Sequence, residues 1–159
     1  VQPGGPPIWV SGRKEGAMRR AARLGDGWHP YMYDPGQFRD SVARIREMAE
    51  EDGRVLPDDF VYACFIYVSI SDDVATARRY AVDELTYRYE QDFDRLVDRY
   101  CAYGPPARVA ERLAEYVDAG ASYILMGLAM PVEERQAGLE RFAKEVLPAM
   151  RSLTPPRGR

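Results

Sequence analysis

The sequence contains few of the residues from which metal and disulfide sites are built. Its 159 residues include two cysteines, Cys64 and Cys101, and a single histidine, His29. No CxxC pair and no cluster of histidine and cysteine surrounds either cysteine, so the usual zinc-ligand spacings are excluded. We therefore predict two reduced, structural thiols and no metal site.

The chain also lacks a strong excess of charge and a long apolar run. Its 22 basic and 25 acidic residues give a formal net charge of −3, and the dispersed arginines form no basic patch for nucleic acid or anionic membrane. No apolar run approaches the roughly 18 residues of a membrane span, and the start lacks a signal-peptide pattern. We expect a cytoplasmic protein that binds neither nucleic acid nor membrane.

The basic residues are almost all of one type. Subtracting Lys14 and Lys144 from the 22 basic residues leaves 20 arginines. Such a preference for arginine favours a GC-rich, bacterial source.

The sequence does contain a regular alternation of short apolar runs and amphipathic helical patterns. One run, 60–70, is apolar almost throughout, which is typical of a parallel strand covered on both faces. The predicted strands are Ile8–Val10, Trp28–Tyr31, Phe60–Ile70 and Ser122–Ala129. Because each strand is followed by helix, the order predicts an α/β fold of parallel strands with right-handed crossovers.

The predicted domain has clear limits. Val1–Pro7, with three prolines and two glycines, is predicted to be a loop. Residues 8–153 form a single α/β domain, within which 87–103 is interpreted as a charged helical insertion, and 154–159 form a tail.

One turn could hold a phosphate. The first strand ends at Ser11, Gly12 lets the backbone approach a ligand closely, and Arg13 and Lys14 add positive charge where a helix containing Ala17 begins. The first N–H groups of a helix favour anions. The simpler interpretation, a tight strand-to-helix turn with its basic residues in water, stays open at this point.

A second group of candidates follows the second predicted strand. His29 could transfer a proton or hydrogen-bond a substrate, and Trp28 and Tyr31 could stack on a planar ring. The alternative for all three is ordinary packing, and no residue of the chain is a firm candidate for a catalytic acid or base.

Three segments together resemble a known family. PPIWVSGRKEGAMRRAARLGDGW (6–28) is similar to a strand, glycine turn and helix of the luciferase-like monooxygenases. Residues 103–128, with YGPP, AGA and SYILMGL, resemble a second signature of that family, and FAKEVLPAM (142–150) resembles its closing helix. The similarity extends over nearly the whole chain in the correct order.

The resemblance implies the C-terminal half, strands five to eight, of a luciferase-like (β/α)8 TIM barrel. It implies a flavin- or deazaflavin-dependent oxidoreductase or monooxygenase that uses FMN or a deazaflavin coenzyme on a small-molecule substrate. In this family the first turn holds the cofactor phosphate, which here corresponds to Ser11, Gly12, Arg13, Lys14 and Ala17. Trp28, His29 and Tyr31 would then line the approach to the ring, with His29 the only candidate catalytic residue.

A half-barrel leaves two sheet edges and one apolar face without partners. We therefore expect a homo-oligomer or a complementary N-terminal half. Two alternatives remain: a non-catalytic half-barrel that acts as a dimerisation or partner-binding module, and a small α/β domain that binds another phosphorylated ligand.

Overall fold

The computed structural model describes residues 5–153, which form a parallel five-stranded sheet with helices against both of its faces. The strands are β1 (Trp9–Ser11), β2 (Gly27–His29), β3 (Val61–Ile70), β4 (Cys101–Gly104) and β5 (Tyr123–Leu128). The helices are α1 (Glu15–Leu24), α2 (Pro35–Glu51), α3 (Val74–Tyr89), α4 (Val97–Tyr100), α5 (Pro106–Asp118), α6 (Arg135–Arg141) and α7 (Leu147–Arg151). The α/β prediction with parallel strands is confirmed.

The chain ends of the prediction are described only in part. Residues 5–7 have no regular secondary structure, while residues 1–4 of the predicted loop and the predicted tail 154–159 lie outside the described residues. Among the helices of the described segment, none combines the length and apolar character that a membrane crossing requires.

β3 is the central strand and has three partners. Its first residues, Val61 and Tyr62, pair with β2, and its last four, 67–70, pair with β4. β5 pairs with residues 63–68 on the opposite edge. Backbone bonds of odd-numbered residues reach β2 and β4, as from the Val61 N–H to the Asp26 carbonyl, so β2 and β4 follow one another along the same edge of β3.

The predicted charged helical insertion at 87–103 is wrong in its second half. Helix α3 ends at Tyr89, the chain turns, α4 occupies one turn, and residues 101–104 form β4 rather than helix. The four residues of β4 are all buried. β4 is stabilised by pairing with β3, whose paired residues lie 34 positions earlier in the sequence. Because this contact is distant, the sequence around β4 does not indicate a strand.

One face of the sheet, here called the outer face, carries the larger core. The even-numbered side chains of β3 point to it, and they pack with α1, α2 and α5. The largest fully buried side chains of this core include Trp28, Phe38 and Tyr116. The rings of Trp28 and Phe38 lie 5.4 Å apart, and those of Phe38 and Tyr116 lie 6.4 Å apart.

The opposite face, here called the inner face, carries the odd-numbered side chains of β3. The part of this face near the C-terminal ends of the strands, here called the upper part, lies around Tyr67 and Tyr103. It is covered by α3, α4 and the turn that joins them. The lower part of the inner face carries Trp9 and Tyr123, whose rings meet edge to face at 5.1 Å. Tyr123 is 50% exposed, so the inner face is only partly covered by the described chain.

The last helical segment is interrupted where its sequence requires it. The sequence pattern of Glu133–Leu153 predicts a single last helix, but α6 and α7 are separated by a π-helical turn at Phe142–Val146. Pro148 lies in the first turn of α7. Because proline has no N–H and clashes with the carbonyl four residues earlier, it cannot continue a regular α-helix.

Candidate functional site

The turn between β1 and α1 has a backbone that only glycine adopts easily. Gly12 has φ +136°, a region that side chains avoid. A Cβ at Gly12 would lie 2.6 Å from the Cβ of Ala17, so the close approach of the turn to the helix also requires glycine. The sequence prediction of a tight, close-approach turn is therefore correct in its geometry.

Two side chains from the β2 region hold this turn in place. The Trp28 indole N–H donates to the Gly12 carbonyl at 2.9 Å, and the Tyr33 hydroxyl donates to the Arg13 carbonyl at 2.8 Å. The Tyr33 hydroxyl in turn lies 3.5 Å from the Ser41 hydroxyl of α2. With both carbonyls fixed from inside the protein, the turn is organised before any ligand arrives.

Some N–H groups in the first turn of α1 have no hydrogen-bond acceptor within residues 5–153. The N–H groups of Ala17 and Met18 bond to the Lys14 carbonyl, and no side chain caps the helix. Within residues 5–153, the N–H groups of Glu15 and Gly16 have no protein acceptor. An anion is the group that such a helix start favours.

Most of the charged side chains around the turn are positive and exposed to solvent. Arg13 and Lys14 are exposed, and the Arg13 guanidinium lies 5.9 Å from the Tyr31 ring and 5.5 Å from the Tyr33 ring. The one carboxylate of the first helical turn, Glu15, lies 3.1 Å from Arg44, which offsets its negative charge. The turn therefore presents two cations and a helix start to the same space.

This space is an open depression of about 540 Å³. Its lining residues come from the turn and from the segment that leads into α2: Gly12, Arg13, Lys14, Tyr31, Tyr33 and Gln37. Sequence reasoning missed Tyr33 and Gln37. The capping box that links Gln37 to Asp34 is readable in the sequence, but it indicates a helix start and not a ligand.

Ser11 and Ala17 occupy different positions from the rest of the predicted phosphate set. Ser11 is exposed at the end of β1. Ala17 is 6% exposed and its N–H already bonds to Lys14. Ala17 therefore supports the turn by its small size and does not itself reach a ligand.

The predicted group of Trp28, His29 and Tyr31 is divided by the structure. Trp28 is fully buried on the outer face, so the expectation that it lines a substrate pocket is wrong. Tyr31 is 51% exposed and lines the depression by the turn. His29 lies on the inner face, where its ring is 6.5 Å from that of Phe65.

The inner face contains aromatic residues that sequence reasoning did not select. Trp9 and Phe65 lie there with His29, and the rings of Phe65 and Tyr67 meet edge to face at 4.9 Å. The Tyr67 hydroxyl is 2.8 Å from that of Tyr89. The alternation of β3 could have identified Phe65, but the apolar run gave no indication of which side was inward.

Burial is the main cause that shifts the pKa values of the titratable groups near the sheet. Burial lowers the pKa of His29, so its neutral form is favoured at physiological pH. Burial raises the pKa of each thiol, Cys64 and Cys101, to about 12. Both cysteines are free and buried, and the described residues contain no group of three His, Cys, Asp or Glu side chains placed to hold a metal ion.

Comparison with known proteins identifies the sequence pattern. A family profile described as luciferase-like monooxygenase matches residues 1–123. Among curated proteins, an uncharacterized protein of Mycobacterium bovis is 41% identical over 51 residues, which are 32% of this chain and 17% of that protein.

Two solved structures share the fold. An F420-dependent secondary alcohol dehydrogenase, in complex with an F420–acetone adduct, superposes with a TM-score of 0.77 at 18% identity, over 93% of this chain and 50% of the other. The oxygenating constituent of 3,6-diketocamphane monooxygenase from Pseudomonas putida, in complex with FMN, gives 0.70 at 20% identity, over 96% and 50%. The chain thus spans about half the length of these two structures.

Proposed function

Because the chain belongs to the luciferase-like monooxygenase family, we propose that it is the phosphate-holding half of a flavin- or deazaflavin-dependent oxidoreductase. The observation that carries this proposal is the turn at Gly12–Lys14. Its backbone is fixed from inside, its helix start keeps two N–H groups free, and two cations flank it. Each of these features suits a phosphate group.

The cofactor would lie across two parts of the molecule. Gly12, Arg13 and Lys14 would hold the phosphate, with Ser11 beside it and Ala17 supporting the turn. The ring, FMN or a deazaflavin, would supply the hydride or oxygen chemistry itself. The chain's own residues would bind it, orient it and exclude water, and His29 would line the approach to the ring.

The remainder of the site would come from a second half-barrel. β1 pairs only with β2 and β5 only with β3 among the described residues, so β1 and β5 each have one open edge. The lower inner face is also open, with Tyr123 half exposed. A (β/α)8 barrel closes when four more strands join these edges, supplied by a complementary N-terminal half or by another copy of the chain.

The test is a binding titration of the full chain with FMN and, separately, with a deazaflavin coenzyme, followed by absorbance. Replacing Arg13 or Lys14 by glutamine should weaken binding about tenfold or more, because each loses a charged hydrogen bond to phosphate. Arg23→Gln is the matched control, since Arg23 lies in the last turn of α1 beside Asp52. Equal effects of all three variants would contradict the phosphate site.

The second candidate function is a non-catalytic module that binds a partner through its open inner face. The half-exposed Tyr123 and the two open edges are the observations that favour it. Native mass measured on the same samples separates the two. A dimer or larger assembly that carries cofactor absorbance supports the enzyme, whereas an assembly that stays colourless with both cofactors supports the module.

A further inference from the structure

On the inner face, the two ring nitrogens of His29 have different surroundings. Its Nε2 atom is shielded from solvent and has no hydrogen-bond partner, whereas Nδ1 is not shielded in this way. Within residues 5–153, neither nitrogen forms a hydrogen bond. Any ligand that reaches the imidazole without moving it must therefore do so at Nδ1.

The shielded nitrogen also opposes the charged form of the ring. A protonated imidazole carries an N–H at both nitrogens, and a charged donor enclosed without an acceptor is costly. Burial is the cause that lowers the pKa of His29, with no charged side chain of the described chain acting to raise it. The ring packed against it, Phe65 of β3, is uncharged. The neutral form of His29 is therefore favoured, and the enclosed Nε2 has no partner with which to exchange a proton.

The surface beside His29 is aromatic. Gly127 of β5 lies under the rings of Tyr67 and Phe65, and a Cβ there would come within 2.9 Å of the Tyr67 ring. The absence of a side chain at Gly127 lets both rings lie close to the sheet. Such a surface suits a flat ring whose edge needs one hydrogen bond and whose faces need apolar contact.

We propose that His29 hydrogen-bonds the polar edge of a planar heterocyclic ring through Nδ1 alone, as a neutral imidazole that orients the ring and relays no proton. This inference rests on the proposed function, in which that ring belongs to the bound flavin or deazaflavin. It assigns His29 a positioning role.

Two amide side chains distinguish the nitrogens. The asparagine amide lies near the position of Nδ1, whereas the longer glutamine side chain places its amide near Nε2. His29→Asn should therefore bind FMN within about threefold of the unmodified chain, and His29→Gln should bind about tenfold more weakly, as expected for the loss of one neutral hydrogen bond. The opposite order would overturn the assignment to Nδ1.

A second measurement does not depend on the variants. Because His29 is the only histidine, its two ring nitrogens give the only imidazole signals in a ¹⁵N spectrum of the full chain. Adding FMN should shift Nδ1 and leave Nε2 nearly unchanged, while inorganic phosphate, which would occupy only the turn before α1, should shift neither.

The outcomes separate this inference from the proposed function. FMN binding that depends on Arg13 but shifts Nε2, or shifts neither nitrogen, would overturn the role of His29 and leave the phosphate site standing. Absence of binding by both FMN and a deazaflavin, measured by absorbance, would overturn both.

Discussion

The two faces of the sheet differ in how far the chain itself completes them. On the outer face, Trp28 and Phe38 are fully buried under helices that belong to the same chain. On the inner face, α3 and α4 cover only the upper part, and Tyr123 is half exposed below. The chain therefore completes the packing of the outer face by itself, but it leaves part of the inner face uncovered.

The largest expected effect tests this contrast directly. Phe38→Ala removes a fully buried ring between Trp28 and Tyr116 and should lower the free energy of unfolding by about 3–5 kcal/mol. Tyr123→Ala, on the inner face, loses mainly an edge-to-face contact with Trp9 and should cost only about 1 kcal/mol. Urea unfolding of both variants measures the difference, and similar losses would show that the inner face is packed as tightly as the outer.

The second prediction concerns the turn that joins β1 to α1. Gly12→Ala forces a side chain into φ +136° and against Ala17, and should cost roughly 2–3 kcal/mol. Gly53→Ala is the matched control, because Gly53 also has positive φ, +68°, but a Cβ there would meet nothing within 4 Å. It should cost about 1 kcal/mol.

The same two variants should differ in ligand binding. Gly12→Ala is expected to weaken FMN binding while Gly53→Ala leaves it unchanged. If Gly12→Ala binds FMN normally, the shape of the turn is not what holds the phosphate.

The third prediction is the acid sensitivity of the α2 start. Burial alone raises the pKa of the Asp34 carboxyl, but the Gln37 N–H and Arg99 outweigh it and hold that pKa below its usual value. A carboxyl whose pKa is lower in the folded state stabilises the fold above its unfolded pKa, about 3.9, and loses this contribution as pH falls further.

Asp34→Asn keeps a capping side chain without the charge. The unmodified chain should therefore lose more stability than this variant as the pH falls below about 4, as measured by thermal unfolding at a series of acidic pH values. Parallel pH curves for the two proteins would show that Asp34 contributes nothing to acid unfolding.

The smallest expected effect is at Ser69. This residue is fully buried and its hydroxyl has no partner among the described residues. Its desolvation is therefore not compensated by a hydrogen bond. Ser69→Ala should leave stability unchanged or raise it by up to about 1 kcal/mol, as measured by urea unfolding. A clear loss would mean that the hydroxyl is in fact satisfied, for instance by a bound water.

The parts of the fold that the sequence predicted are those with long or local signals. The run 60–70 is long enough to be recognised as a central strand, and β3 is Val61–Ile70. The turn at Gly12 was predicted from neighbours in sequence, and its glycine geometry is confirmed. In each case the residues that form the sequence pattern are neighbours in the chain, so no distant contact is needed to predict the element.

The parts that failed depend on distant contacts or on very short elements. β4 is stabilised by pairing with the far end of β3, which its own four residues do not indicate. Trp28 and His29 lie next to each other in a three-residue strand, so one must point outward and the other inward. A strand that short contains no repeat from which to decide, and of the two interpretations of Trp28, a pocket residue or ordinary packing, the structure shows packing in the outer-face core.

The arrangement of β2 and β4 along one edge of β3 leaves a short interval that neither strand covers. Along β3, the pairing with β2 ends at Tyr62, and the pairing with β4 begins at Tyr67. The odd-numbered Phe65 directs its backbone groups to this uncovered edge, whereas Cys64 and Ile66 direct theirs to β5. The sheet therefore has a notch beside His29, where neighbouring segments are held together by side chains rather than by a ladder of paired strands.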